Sequence, residues 1–271
     1  LKHYYVRTWR KYIANKGNIH LEANTSSLKR IPFTSDHVYM RRTISDFGRV
    51  SEYLSNTYFR NSYLHDALKK SEPTAMIDVG ANIGLSALSL TKEFKTIKEV
   101  IGIEAELQNF YILEKNFQLW SKKISDTQFH PMHAVATHDS KIDFTQISSL
   151  AELNGRGTAS GTFRFAESKK NISDKAQVLS SVSMSEIFNQ LQNKENVIVK
   201  IDIEGGEEQL MASNTSWLKD CSLMAIEIHD RCHPAMYNSS TNVINALSKA
   251  NFAIVPTKDI LICYNRSKLK I

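Results

Sequence analysis

The 271-residue chain predicts an α/β fold, a doubly wound, mostly parallel seven-stranded sheet with an N-terminal helical extension. Three observations point there. The first is Thr74-Ala-Met-Ile-Asp78-Val-Gly80-Ala-Asn82-Ile-Gly84-Leu-Ser86, a short apolar run followed by two glycines and then the helical pattern Leu85, Leu88, Leu90. Strand, glycine-bearing turn and helix present backbone N–H groups at a helix N-terminus to a ligand. The second is Glu99-Val-Ile-Gly-Ile103-Glu104, an apolar strand ending in a carboxylate one βα unit downstream. The third is the regular alternation of strand and helix from residue 74 onward, the pattern of a parallel sheet covered on both faces.

The elements follow in order. Residues 1–73 are expected to form the helical extension. Its first 31 residues are basic and aromatic, with Tyr4, Tyr5, Trp9 and Tyr12 spaced for one face of a short helix. An irregular link through Gly17 and residues 24–27 leads to a break at Pro32. Ser45-Asp46 caps a helix, and a second runs from about Tyr58 to Lys70, ending before Pro73. Residues 74–271 form the second domain. Its strands are expected at 75–79, 99–103, 129–135, 197–201 and 223–228, with a terminal hairpin of 252–255 and 260–264. Helices follow at 84–95 and 106–119, from about Gly205 to Ala212, and around Val243 to Leu247. Two short extra strands are expected at 141–147 and 177–182. Ser183-Met-Ser-Glu186 has the form of a capping box. Residues 148–175 read as a long loop, rich in Ser, Gly, Asn and Lys, and a loop of that length inside a domain is usually functional or mobile.

The glycine turn excludes two phosphate-binding patterns. Counting from Gly80, the third and sixth positions are Asn82 and Leu85, so the dinucleotide fingerprint fails, and no Lys follows Gly84 to make a phosphate loop. What remains, apolar-Asp-x-Gly-x-x-x-Gly, resembles the first motif of class I S-adenosylmethionine (SAM) methyltransferases. Glycine lets a loop approach a ligand closely, and Asp78 is an anion suited to an ammonium group. Glu104 stands where such folds place an acid that accepts hydrogen bonds from ribose hydroxyls. An ordinary βα turn and a solvated strand-end acid are the bland alternatives.

Composition narrows the setting. Apolar residues make up 42%, enough for a sizeable core, and the formal charge of +6 is too dispersed to demand nucleic acid. Three cysteines, Cys221, Cys232 and Cys263, lack C-x-x-C spacing, which argues against a disulfide framework or zinc site and for a reducing, cytoplasmic compartment. No apolar run approaches a membrane span. The chain opens at Leu1 and not at Met, which leaves room for residues ahead of it; no signal peptide is visible.

Two more strand ends carry chemistry. Lys200-Ile-Asp202-Ile-Glu204 places three charged side chains on one face by the two-residue period, and Glu227-Ile-His229 does the same for a carboxylate and an imidazole. Ligands of doubly wound sheets sit outside the carboxyl ends of the strands, so these groups are expected to converge there.

Ile77-Asp-Val-Gly-Ala-Asn-Ile-Gly84, Ile103-Glu-Ala105, Val199-Lys-Ile-Asp-Ile-Glu-Gly205 and Ile226-Glu-Ile-His229 occur in the order and spacing of the FkbM family of SAM-dependent methyltransferases, which the chain resembles over roughly residues 38–229. Upstream, Val38-Tyr-Met-Arg41 with Ser45-Asp46 is similar to that family's segment ahead of the first motif. Ala105 departs from the family's usual Pro after the acid. The resemblance implies O-methylation of a saccharide or small natural product. It implies that Gly80, Asn82 and Gly84 line the methionine end with Asp78 supporting the loop, that Glu104 and the neighbouring Ala105 serve the ribose, and that His133 and Ala134 frame adenine. Asp202 and Glu204 would lie near the transferred methyl group, beside Lys200, while Glu227 and His229 would face the acceptor.

A sugar hydroxyl is a poor nucleophile at neutral pH, so a base or a metal should act on it. His229, with an ordinary pKa of about 6.5, is the favoured base. Alternatively Asp202, Glu204 and Glu227 would hold Mg²⁺; a metal-free site is preferred. The expected partner is a small-molecule or glycan acceptor, with no membrane, and nucleic acid is disfavoured. Two other functions stay open: an RNA methyltransferase drawn by the basic N-terminus, and a non-catalytic SAM-binding protein. The sequence leaves the acceptor and the oligomeric state undetermined.

Overall fold

The computed structural model describes residues 26–31, 34–41, 44–55, 62–140, 143–149, 163–167, 178–203, 206–212, 214–229, 239–257 and 260–268. The expected helix over Tyr4–Tyr12, the start of the helix at Tyr58, and Glu204 with Gly205 lie outside the described residues.

The extension is not purely helical. Strands β1 (Ser27–Arg30) and β2 (His37–Met40) pair as an antiparallel ribbon within the stretch expected to be a helical extension. Helices α1 (Ile44–Ser55) and α2 (Ser62–Ser71) follow.

The chain then runs β3 (Ala75–Val79), α3 (Leu85–Glu93), β4 (Glu99–Glu104), α4 (Leu107–Ser121) and β5 (Gln128–His133), close to the expected bounds. Next come β6 (Val135–Thr137), β7 (Asp143–Ser149), β8 (Phe163–Glu167) and β9 (Val178–Ser183). Together these four make a small separate sheet in the order β6-β9-β7-β8. The 148–175 segment is therefore not all loop, since β8 within it pairs antiparallel with β7. The chain continues through α5 (Met184–Gln190), β10 (Val197–Ile201), α6 (Glu207–Met211), a 3-10 turn (Thr215–Lys219), β11 (Cys221–Glu227), α7 (Ser239–Lys249), β12 (Phe252–Pro256) and β13 (Ile260–Asn265).

The main sheet has seven strands in the order β12-β13-β11-β10-β3-β4-β5. The run from β11 to β5 is parallel throughout, while β13 is antiparallel to both β11 and β12. The chain starts at β3, steps outward to β5, then returns to β10 on the other side of β3. That reversal opens a crevice at the carboxyl ends of β3 and β10.

Period-two alternation sorts the core onto two faces. Met76, Val100, Ile198 and Leu223 pack with Val50 of α1, Leu68 of α2, Leu88 of α3 and Phe117 of α4. Ile77, Ile101, Val199 and Met224 pack with Phe188 of α5, Leu210 of α6 and Leu247 of α7. The capping box is formed: Ser183 Oγ accepts from the Glu186 N–H, and the Glu186 carboxylate accepts from the Ser183 N–H. Cys221 and Cys263 are buried and unbridged, and burial pushes both thiols up. Among the described residues no helix is long and apolar enough to cross a membrane.

Candidate active site

At the end of β3 the chain turns through Gly80 and Ala81, whose N–H groups both donate to Ile103 O at 2.9 Å. That pair ties the turn to the end of β4. Gly80 has φ +78°, and a Cβ there would stand 1.8 Å from the carbonyl oxygen of Asp202. Only glycine fits where β3 and β10 end side by side. Asn82, also left-handed at φ 51°, donates its N–H to Glu104 Oε2 at 2.8 Å, and its side-chain oxygen accepts from the Ile83 N–H. Gly84, expected to line the ligand, is required for another reason. Its missing Cβ would meet Leu113, Phe117 and Trp120 of α4 at 2.9–3.0 Å, so this glycine lets α4 pack against the turn.

Glu104 lies at the mouth of the crevice, 8% exposed. Its Oε1 accepts from the Glu106 N–H at 2.8 Å, opposite the Asn82 contact on Oε2. Burial dominates over these donors and pushes its carboxyl up to about 7. His133 is its register partner on β5. Nε2 of that histidine lies 3.1 Å from Ala105 O, and its ring stacks on Phe110 with centroids 4.8 Å apart. Ala134 is buried beside it.

Asp78 was expected to meet a ligand ammonium and Lys200 to act in catalysis; the structure pairs them with each other. They are register partners on β3 and β10, both buried, with Lys200 Nζ 3.2 Å from Asp78 Oδ1. Lys200 also donates to Gly80 O at 3.3 Å and lies 3.6 Å from Asp202 Oδ2. Burial disfavours its ammonium, but the carboxylates of Asp78 and Asp202 outweigh that and hold its pKa above the ordinary value. Burial raises the Asp78 carboxyl, with Lys200 opposing. This pair braces the glycine turn from beneath.

Beyond the ends of β10 and β11, Asp202, Glu227 and His229 converge. His229 Nε2 is 3.8 Å from Asp202 Oδ1 and 3.9 Å from Glu227 Oε1. Its Nδ1 makes a 2.8 Å hydrogen bond to Glu207 Oε1. A carboxylate on Nδ1 selects the tautomer protonated there and leaves Nε2 as the basic nitrogen. Glu207, buried at the start of α6, was not among the expected site residues. The signal that could have found it is the acid five residues after Asp202, at the opening of the next helix.

The crevice fits an adenosyl methionine group. Glu104 keeps acceptor capacity for a ribose hydroxyl beyond its two backbone donors. The Phe110–His133 pair offers a flat wall, and the glycine turn closes the end next to Asp202.

The family model described as Methyltransferase FkbM domain matches residues 78–254. No curated protein matches the chain in sequence. Among solved structures, the methyltransferase FkbM from Methylobacillus flagellatus KT is 14% identical with a TM-score of 0.47, over 81% of this chain and 53% of that one. This chain thus spans about half the length of that protein. The magnesium protoporphyrin IX methyltransferase from Synechocystis PCC 6803, with bound SAM, is 11% identical with a TM-score of 0.41, over 81% and 83% of the two chains. Because the matched residues take in the glycine turn, Glu104 and the Asp202–Glu227–His229 cluster, the chain belongs to the FkbM family of SAM-dependent methyltransferase domains.

Proposed function

We propose that the protein moves the methyl group of SAM to a hydroxyl of a saccharide or small natural product, with His229 as the base. One observation carries this reading: the 2.8 Å contact between His229 Nδ1 and Glu207, which leaves Nε2 directed toward Asp202 and Glu227. When bound, SAM supplies an electrophilic methyl group on its sulfonium. Glu104 would accept from its ribose, and the Phe110–His133 wall would stand beside its adenine. His229 takes the acceptor hydroxyl's proton at Nε2 as the oxygen attacks. Glu207, Asp202 and Glu227 then stabilise the imidazolium that forms. Lys200 and Asp78 hold the turn. The free thiols of Cys221 and Cys263 suit a cytoplasmic setting.

The test is product S-adenosylhomocysteine (SAH) formed against a panel of saccharides and hydroxylated small molecules. His229→Ala should lower turnover by about a hundredfold or more, while SAH affinity measured by calorimetry stays within about twofold. Full turnover in that variant would overturn the assignment of the base. Failure of the wild type to bind SAH at all would overturn the methyltransferase reading.

A second reading is favoured by one feature of the same cluster. One ligand atom from each of Asp202, Glu227 and His229 lies within 4.8 Å of the others. With Glu207 fixing the far imidazole nitrogen, those groups could hold a divalent cation that lowers the hydroxyl's pKa. The set overlaps the Asp202–Glu204–Glu227 grouping expected from the sequence, with the imidazole as third donor. Loss of turnover in EDTA with recovery on added Mg²⁺ or Mn²⁺ would select it over the metal-free base.

A further inference from the structure

Helix α4 meets the extension through polar side chains, and one of them also reaches the glycine turn. Trp120 Nε1 donates to His37 O at 3.0 Å, the Asn116 amide meets Tyr39, and Arg41 Nη2 donates to Asn109 Oδ1. Residues 37, 39 and 41, every second position along β2 and just past it, thus face positions 120, 116 and 109 in antiparallel order.

Asn116 is fully buried. Its Oδ1 accepts from the Tyr39 N–H at 2.6 Å, and its Nδ2 donates to Tyr39 O at 3.1 Å and to Ile83 O at 2.8 Å. The Tyr39 N–H can meet only the amide oxygen, so the amide has one orientation and its NH₂ must face the two carbonyls. Asn116 therefore pairs with both backbone groups of Tyr39, as a neighbouring strand would, and spends its second proton on the turn.

Ile83 sits between two left-handed residues, Asn82 at φ 51° and Gly84 at φ 89°. Backbone of that kind persists where its surroundings hold it in place. From within the turn, Asn82 Oδ1 accepts the Ile83 N–H at 2.9 Å; from outside, α4 holds Ile83 O. Leu113, Phe117 and Trp120 crowd the bare face of Gly84 and set how closely the helix approaches. Asn116, among them on α4, sets the direction of the carbonyl. The residue before Ile83 supplies the N–H that closes on Glu104 Oε2.

We infer that Asn116 is a positioning residue for cofactor binding: its NH₂ ties Ile83 O to Tyr39 O, so that β2 of the extension helps to fix the shape of the turn that seats SAM. The inference rests on the reading that this turn and Glu104 receive the adenosyl methionine group. It gives the extension a role in the crevice, because Tyr39 lies ahead of residues 78–254, which the family model covers.

The experiment uses the full chain, SAH as probe and a matched control. Asn265 is also a buried amide that bridges two carbonyls, Leu218 O at 3.3 Å and Cys221 O at 2.9 Å, but it does so at the start of β11, the edge of the sheet away from the crevice. Asn116→Leu and Asn265→Leu should both lower the denaturant midpoint, since each leaves buried carbonyls without a donor. Only Asn116→Leu should weaken SAH binding in calorimetry, by about tenfold or more, and only it should speed ligand-free amide exchange over residues 80–84. Tyr39→Pro, which removes the N–H that holds the amide oxygen, should weaken SAH binding in the same direction. In the wild type, SAH should shift the nitrogen-15 signals of the Asn116 NH₂ and leave those of Asn265 in place.

Equal SAH affinity in the two leucine variants overturns the inference. Unmoved Asn116 signals on SAH binding overturn it too, whether or not Asn116→Leu folds. Full affinity in Tyr39→Pro overturns the part given to the extension. Faster exchange over 80–84 in Asn116→Leu together with no SAH binding by the wild type overturns instead the adenosyl reading, and with it the cofactor role of Asn116.

Discussion

The two banks of the crevice are built differently. On the β3–β4 side the contacts are made by backbone groups: Gly80 and Ala81 bond to Ile103 O, and the Asn82 and Glu106 N–H groups close on Glu104. On the β10–β11 side the Glu207–His229 hydrogen bond holds the imidazole. Asp202 and Glu227 stand 3.8 and 3.9 Å from Nε2, beyond hydrogen-bonding distance. One bank is pre-organised by backbone, which suits a ligand common to a whole family. The other holds side chains that converge from the ends of β10 and β11 and the start of α6.

Gly80→Ala should break that contrast most severely. Its Cβ would need the space of the Asp202 carbonyl at a positive φ, so both banks must shift. A loss of about 3 kcal/mol or more is expected in denaturant unfolding, with SAH binding abolished. Retained binding would mean that the two strand ends are not coupled.

A smaller effect tests the pre-organised bank through pH. The Glu104 carboxyl is raised from 4.5 to about 7, so the folded state binds this proton more tightly than the unfolded state does. Its contribution is fully present below pH 4.5 and is lost as pH rises to about 7, a fall of about 3 kcal/mol. Unfolding free energies of wild type and Glu104→Ala measured across that window should differ in slope. Parallel curves would show Glu104 to be solvated.

The smallest expected effect is on the β10–β11 bank. Glu227 is 30% exposed in its side chain, so Glu227→Gln should change stability by less than about 0.5 kcal/mol. SAH affinity should hold while turnover falls. A large stability loss would mean that Glu227 is structural and that the two banks are alike.

Much of this was legible along the chain, because β-strands announce themselves by period and length. The apolar runs of β3, β4, β10 and β11 lie where expected, and so do the glycine turn and the capping box at Ser183. The ribbon of β1 and β2 was not legible, since two four-residue strands with no clean apolar alternation look like a link until they pair. The strand β8 was hidden in the same way inside a polar stretch.

Roles were less legible than positions. Period-two alternation put Lys200 on the face of Asp202, correctly, but the register that sets it beside Asp78 depends on a strand more than a hundred residues away. Gly84 reads as a ligand-approach glycine until α4 is seen packed on its bare face. Glu207 looks like an ordinary helix-surface residue until His229 reaches it.

The sequence by itself determined the sheet, its glycine turn and the acids at its strand ends, because those follow from local periodicity and from backbone angles that few residues adopt. The tertiary structure alone decided which acid meets which cation and which glycine faces a helix. Such pairings depend on parallel register and helix docking, and short-range pattern along the chain does not encode either.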